Sequence, residues 1–127
     1  VTTLLQRVQR EPPRVIKRVH VHTFRHNLGV SAAWNAIMLF HAAPWYLICN
    51  SDVAFLPHTL PHIVRAVDKR VSSTCVWRFG LGFSAFAIAN HTPRVTGLFD
   101  ENYFPAYAED CDYTKRLALT HQIARFR

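Results

Sequence analysis

The five residues Trp45–Cys49 (WYLIC) form an unbroken apolar run of strand length, and no other feature constrains the fold of this 127-residue chain more. A strand with no polar side must be covered on both faces, as strands inside α/β sheets are. Ahead of it, Ala32, Trp34, Ile37, Met38 and Phe40 recur at helical spacing, with Ser31 placed to cap the helix and Pro44 to stop it. Earlier still, Val15–Phe24 alternates imperfectly between apolar residues (Val15, Ile16, Val19, Val21) and basic or histidine positions, the pattern of an irregular or edge strand. Strand, helix and buried strand in that order predict a βαβ unit, hence a mostly parallel sheet flanked by helices. In such sheets ligands gather at the carboxyl ends of strands, and here that end reads Asn50-Ser51-Asp52.

The rest of the chain completes an α/β pattern. A first helix ends by Gln9, before the breaker Glu11-Pro12-Pro13. A further helix is predicted from Thr59 to about Arg70, with Ile63, Val64 and Val67 on its buried face. Strands are predicted over Thr74–Phe79 and Ser84–Ala89, joined through Gly80-Leu81-Gly82. Glu109–Leu119 reads as a helix with acids in its first turn and Lys115 and Arg116 later, matching the helix dipole. The span Gly29–Cys49 is long enough to raise the question of membrane crossing. Asn35, His41 and Pro44 divide it into an amphipathic helix and a strand, so a soluble single domain over residues 1–127 is expected.

Composition narrows the partners. Fifteen Lys and Arg against eight Asp and Glu give a net charge of +7, which favours phosphate-bearing ligands and leaves peripheral association with an acidic membrane open. Six of those cations lie between Arg7 and Arg25, but no aromatic-interleaved or helix-turn-helix pattern accompanies them, so no nucleic-acid partner is expected. The three cysteines, Cys49, Cys75 and Cys111, are too scattered for a disulfide framework or zinc ribbon and read as free core thiols. His20/His22 and His58/His62 invite a metal reading, but Pro61 and the lack of a glutamate between the latter pair exclude the zinc-protease pattern.

Against this basic background, FDENYFPAYAEDCDY (Phe99–Tyr113) holds five of the eight acids. Acids opening a helix complement its N-terminus without any catalytic purpose. The aromatic, proline-marked approach NYFPAY is harder to explain that way and suits the wall of a site that sheds water. Together with Asp52, the cluster supplies two carboxylate positions for one sheet end. One can hold a hard cation on a diphosphate; the other, at Glu109, Asp110 or Asp112, can take a proton from an attacking hydroxyl.

Three segments in order, NLGVSAAWN (Asn27–Asn35), WYLICNSDV (Trp45–Val53) and GLFDENYFPAYAEDCDYTKRL (Gly97–Leu117), resemble the family 2-like glycosyltransferases. The resemblance covers about Asn27 to Leu117 and implies a GT-A fold. It implies an inverting transfer of a hexosyl or deoxyhexosyl group from a nucleotide-sugar donor to a carbohydrate, lipid-linked or protein acceptor, with Mn or Mg as the divalent metal. Carried over, Asp52 matches the last carboxylate of the DxD motif, on metal and donor diphosphate, and Asn50 stands where the first acid is usual. Asp110 matches the catalytic base, with Glu109 and Tyr107 on the acceptor side and Asn27, Gly29 and Asn35 beside the donor nucleotide. Arg116 matches an arginine that pairs with the acids or with phosphate. The resemblance further implies that the first βα unit, with the acid that reads the nucleotide base, precedes Val1. The alternative is a non-catalytic or truncated relative that binds nucleotide or sugar. The sequence leaves the compartment open between cytoplasm, membrane surface and a Golgi or ER lumen.

Overall fold

Successive side chains of a strand point to opposite faces, so an apolar run becomes a two-faced element that needs cover above and below. The computed structural model describes residues 2–12, 14, 16–68, 76–78 and 83–120. Its elements are α1 (Thr2–Arg10), α2 (Gly29–Phe40), β1 (Trp45–Cys49), α3 (Thr59–Asp68), β2 (Val76–Arg78), β3 (Ala85–Ala89), α4 (Thr92–Thr96) and α5 (Glu109–Leu119). The chain is thus α/β, with the WYLIC strand and the Glu109–Leu119 helix where the sequence places them.

The described sheet has the order β1-β3-β2. β3 lies antiparallel to both neighbours, Trp45 facing Ala89 and Cys49 facing Ala85 on one side, Val76 facing Ile88 on the other. All five residues of β3 are buried. Its large side chains, Phe86 and Ile88, join Trp34, Met38, Ile48, Phe99, Tyr113 and Leu117. Its Ala87 meets Ile63 and Val67 of α3 on the opposite face. β1 divides the same way: Tyr46 and Ile48 belong to the first cluster, Trp45 and Leu47 to the second. Burying a large apolar side chain is worth roughly 1.5–3 kcal/mol, so this double-sided packing is the main stabilising term of the domain.

The sheet corrects two expectations. Among the described residues every strand pairing is antiparallel, because a wholly apolar run reports that both faces are covered but not which way its neighbours point. Residues 16–28 form neither helix nor strand. Cations and imidazoles interrupt their apolar positions, so neither side offers a continuous row to a sheet, and Ile16 and Phe24 remain exposed. The predicted βαβ unit is therefore absent here, and α2 enters from an irregular segment.

Smaller departures have local causes. α2 starts two residues before Ser31, which is buried rather than capping; the Asn27 side-chain oxygen accepts from the Gly29 N–H just ahead of the helix, at 2.9 Å. α4 is an unforeseen short helix with a proline in its first turn, and Gly97 ends it at φ +86°. Val64 of α3 is exposed, and the free thiols of Cys49 and Cys111 are exposed rather than in the core. Thr74, Cys75 and the predicted Gly80-Leu81-Gly82 turn lie outside the described residues. Among the described residues no helix is long and apolar enough to cross a membrane.

The core is aromatic and has one polar joint. Phe99 stacks on Tyr113 at a ring separation of 4.0 Å, and Trp34 meets Phe99 edge-on at 4.9 Å. Beside them, buried Asn35 of α2 donates to the Phe99 carbonyl at 2.9 Å and accepts from the Phe99 N–H at 3.0 Å. Its amide also donates to the Glu101 carboxylate at 2.9 Å. Replacing Asn35 with Ala strands both Phe99 backbone groups, each costing about 1–3 kcal/mol if buried without a partner. Urea unfolding of N35A is expected to show a loss of about 2–5 kcal/mol with an unchanged m value. A loss below about 0.5 kcal/mol would mean that the joint carries no weight.

Tyr113 donates to the Gly97 carbonyl at 3.0 Å, and burial pushes its phenol up from the usual 10.0 to about 12, against a lowering influence of nearby Arg116. The folded state thus favours the neutral phenol. Its contribution to stability is intact below the ordinary tyrosine range and is lost as pH rises through the folded value near 12. Absorbance titration is expected to show one of the four phenols ionising near pH 12, and Tyr113→Phe to remove that step.

Candidate active site

Two ends of the fold meet at one cleft of about 510 Å³. From β1 comes the turn that follows its last residue. The Asn50 N–H donates to the Ser84 carbonyl at 2.9 Å, carrying the β1–β3 ladder one residue past the strands, and Val53 N–H closes the turn on the Asn50 carbonyl. Asn50 and exposed Asp52 thereby reach the cleft beside Ser84. Sequence reasoning missed Ser84. The antiparallel direction was the missing signal, since it sets the start of β3 against the end of β1.

From the other side comes the start of α5. Tyr107 and Ala108, neither a glycine, take left-handed backbone conformations at φ +82° and +71°. Such residues cost of order 1–3 kcal/mol and persist where surrounding structure demands them. They turn the chain sharply, so that Glu109 and Asp110 face the cleft from the first helical turn, with Tyr107 at its rim. Asp110 Oδ1 accepts from the Cys111 N–H at 2.7 Å. That bond holds the carboxylate on its own helix N-terminus and leaves Oδ2 for another donor. Glu109 is buried, yet its Oε2 has no hydrogen-bond partner. Buried carboxylate oxygens are rarely left so.

Asn50, Asp52, Tyr107, Glu109 and Asp110, half the residues singled out from sequence, thus line one cleft. Val30, Trp34 and Phe83 supply apolar wall. The remaining candidates stand behind it. Asn35 commits its amide to Phe99 and Glu101. Asn27 holds the turn into α2 through Gly29. Gly29, at φ +82°, marks where that turn touches the acidic loop: an added Cβ would lie 3.0 Å from both the Pro105 carbonyl oxygen and the Phe104 ring. The adjacent Val30 N–H donates to the same carbonyl at 2.9 Å. Arg116 pairs with Asp112 at 2.6 Å and donates to the carbonyls of Thr96 and Leu98, so of its two expected partners it has taken an acid.

The cleft's charge is informative. Among the described residues its lining contains three carboxylates and no Lys, Arg or His, in a chain of net charge +7. A diphosphate is repelled there unless a cation accompanies it. Among the described residues no group of three His, Cys, Asp or Glu could hold a metal ion unaided. The donor set, one exposed carboxylate at Asp52 beside the Asn50 amide, suits a hard divalent ion shared with phosphate oxygens, since Mg²⁺ commonly takes only one or two protein carboxylates.

With this geometry in hand, comparison with known proteins is decisive at one level. The sequence profile of the family described as "Glycosyl transferase family 2" matches residues 7–124. The chain belongs to that family. Family 2 membership implies the GT-A fold, agrees with the α/β architecture and points to a glycosyltransferase. A "Galactofuranosyl glycosyltransferase" of Leishmania donovani is 49% identical over 35 residues, covering 28% of this chain and 8% of that protein. This chain therefore corresponds to a small part of that relative. No solved structure matches.

Gly29 offers a direct check on how the family 2 cleft is held. Gly29→Ala combines an unfavourable positive φ with the close approach to the Pro105 backbone. It is expected to cost about 1–3 kcal/mol in denaturant unfolding. Full stability in G29A would show that the α2 entry and the acidic loop are not tightly joined.

Proposed function

We propose that this domain transfers a sugar from a nucleotide-sugar donor to an acceptor hydroxyl with inversion at the anomeric carbon. The observation that carries the reading is the convergence of Asn50 and Asp52 with Glu109 and Asp110, from distant parts of the chain, on one cleft. In this reading Asp110 Oδ2 accepts the acceptor's hydroxyl proton while the hydroxyl oxygen attacks the anomeric carbon. The bond from that carbon to the diphosphate oxygen breaks, and the nucleoside diphosphate leaves. The Cys111 N–H on Oδ1 keeps the carboxylate aimed. Glu109, which lines the cleft beside Asp110, helps orient the acceptor. Tyr107, 87% exposed at the rim, gives a sugar ring an aromatic face to rest on. Asp52 and Asn50 are the residues that would hold a divalent Mn or Mg ion, which supplies charge neutralisation to the departing diphosphate.

The donor panel for testing starts with a galactofuranosyl nucleotide, because the Leishmania relative carries that activity in its name. In the full-length protein, Asp110→Asn is expected to lower turnover about 10²–10⁴-fold while calorimetry finds donor affinity within about threefold of the parent. Asp52→Asn, or removal of divalent metal, is expected instead to weaken donor binding itself. Unimpaired transfer by D110N would remove Asp110 from the role of base. Metal-dependent donor binding with neither transfer nor donor hydrolysis in the parent would favour a non-catalytic binding relative.

A further inference from the structure

Three imidazoles meet outside the cleft, where the segment before α2 passes the far end of that helix. His22 Nε2 and His41 Nε2 are 3.0 Å apart, and the ring of His20 lies 4.9 Å from that of His41. The His22 ring also packs on Phe40, the last residue of α2, at 5.3 Å. The His22 and His41 ring centroids are 5.1 Å apart, close to the N···N distance plus two ring radii, so the rings meet end to end. In that geometry one nitrogen's hydrogen points at the other's lone pair. Two lone pairs aimed at a shared cation would meet at an angle, so the contact is a hydrogen bond and not half of a metal site.

We propose that the His22–His41 contact is a pH-sensitive latch that straps residues 22–29 along α2. His22 is pinned at the helix's carboxyl end, and the same segment reaches its amino end at Gly29, where the Asn27 side chain holds the turn. Seven residues therefore run back along a 12-residue helix of about 18 Å, out of the roughly 24 Å they could span fully extended. Little slack remains, and no sheet ladder supports the strap.

The latch needs at least one neutral imidazole, because two protonated rings have two hydrogens and no lone pair between them. Imidazole is the side chain that changes charge between pH 5 and 8. The groups around the pair are imidazoles and cations. His20 faces His41, Arg25 and His26 lie on the strap itself with Lys17 and Arg18 shortly before it, and Arg94 of α4 lines the groove that His41 also lines. From β1 the Tyr46 phenol donates to the His41 backbone carbonyl, at 2.7 Å, not to the ring. Among the described residues no carboxylate lines that groove. Acidification thus releases the strap at His41 while its other end stays fixed at Gly29 beside Val30 in the cleft wall. The latch does not depend on the transferase reading, and its test involves no turnover.

The test is a pH series of proton NMR spectra on the full chain. Cross-ring contacts of His22 with His41 and Phe40 are expected at pH 7.5 and to fall at least tenfold by pH 5.0, while the Phe99–Tyr113 contact persists as a folding control. In His41→Gln the side-chain amide still accepts a hydrogen bond from His22 whatever its charge, so the His22–Phe40 contact is expected to survive at pH 5.0. Persistence of the His22–His41 contact at pH 5.0 in the parent chain would overturn the proposal. So would an equal acid loss of the His22–Phe40 contact in H41Q. Should the control contact show H41Q to be unfolded, His22→Gln, read through its contacts to Phe40, decides by the same criterion.

Discussion

The structure depends on a side-chain amide that imitates a strand partner. Asn35 offers both a donor and an acceptor to the backbone of Phe99, as a neighbouring strand would, inside a core otherwise built from Trp34, Phe83, Phe86 and Tyr113. Without it a loop could not cross that interior, because its N–H and C=O would have no partners. With it, Phe99 is fixed against α2, its ring stacks on Tyr113, and Tyr113 orients α5. The third Asn35 bond, to Glu101, extends the hold into the acidic loop. One residue thus relates the helix beside the cleft to the helix that carries Glu109 and Asp110.

A second set of contacts completes that relation from the opposite end of α5. Arg116 spans Asp112, the Thr96 and Leu98 carbonyls and the Tyr113 ring, closing the α4–α5 corner. Its pairing with Asp112 also removes one acid from the group near the helix start, since both side chains are about a quarter exposed and bonded to each other. The five clustered acids therefore divide by neighbour. Asp100 accepts from the backbone and side chain of Asn102 and shapes a turn, Glu101 serves Asn35, and Asp112 serves Arg116. Glu109 and Asp110 alone among them face the cleft. Local charge concentration in this basic chain is mostly structural, and Glu109 and Asp110 are what the structural pairs leave over for the cleft.

This division explains how much could be read in advance. WYLIC and the helix from Glu109 to Leu119 were legible because burial and dipole complementarity act over a few consecutive residues. The convergence of Asp52 with Asp110 was legible through the family resemblance and the rule that sites form at strand ends. Sheet direction was not, because antiparallel and parallel neighbours cover an apolar strand equally well. The strand predicted over Val15–Phe24 failed because alternation there was broken by cations and imidazoles, and His22 found its partner on a helix end instead. Asn35 shows a subtler limit. A motif residue placed beside the donor by resemblance is occupied by three protein hydrogen bonds, and its bearing on the cleft runs through the parts it joins.

Some of the features left unresolved by these contacts lie at the cleft, while the partnerless buried hydroxyls of Ser31 and Thr92 and the left-handed His58 (φ +68°) are outside its lining. Tyr107 and Ala108 hold backbone conformations that non-glycine residues avoid, and Glu109 keeps a buried oxygen without a donor. Each costs stability, and none is offset by a neighbour among the described residues. The Asn35 joint and the aromatic stack lie immediately behind them and are fully satisfied, which is what allows the strain to be confined to the rim. In the reading proposed above, a cation arriving with the donor diphosphate would relieve the mutual repulsion of the three carboxylates that line the cleft, so the arrangement that strains the empty domain would favour the loaded one.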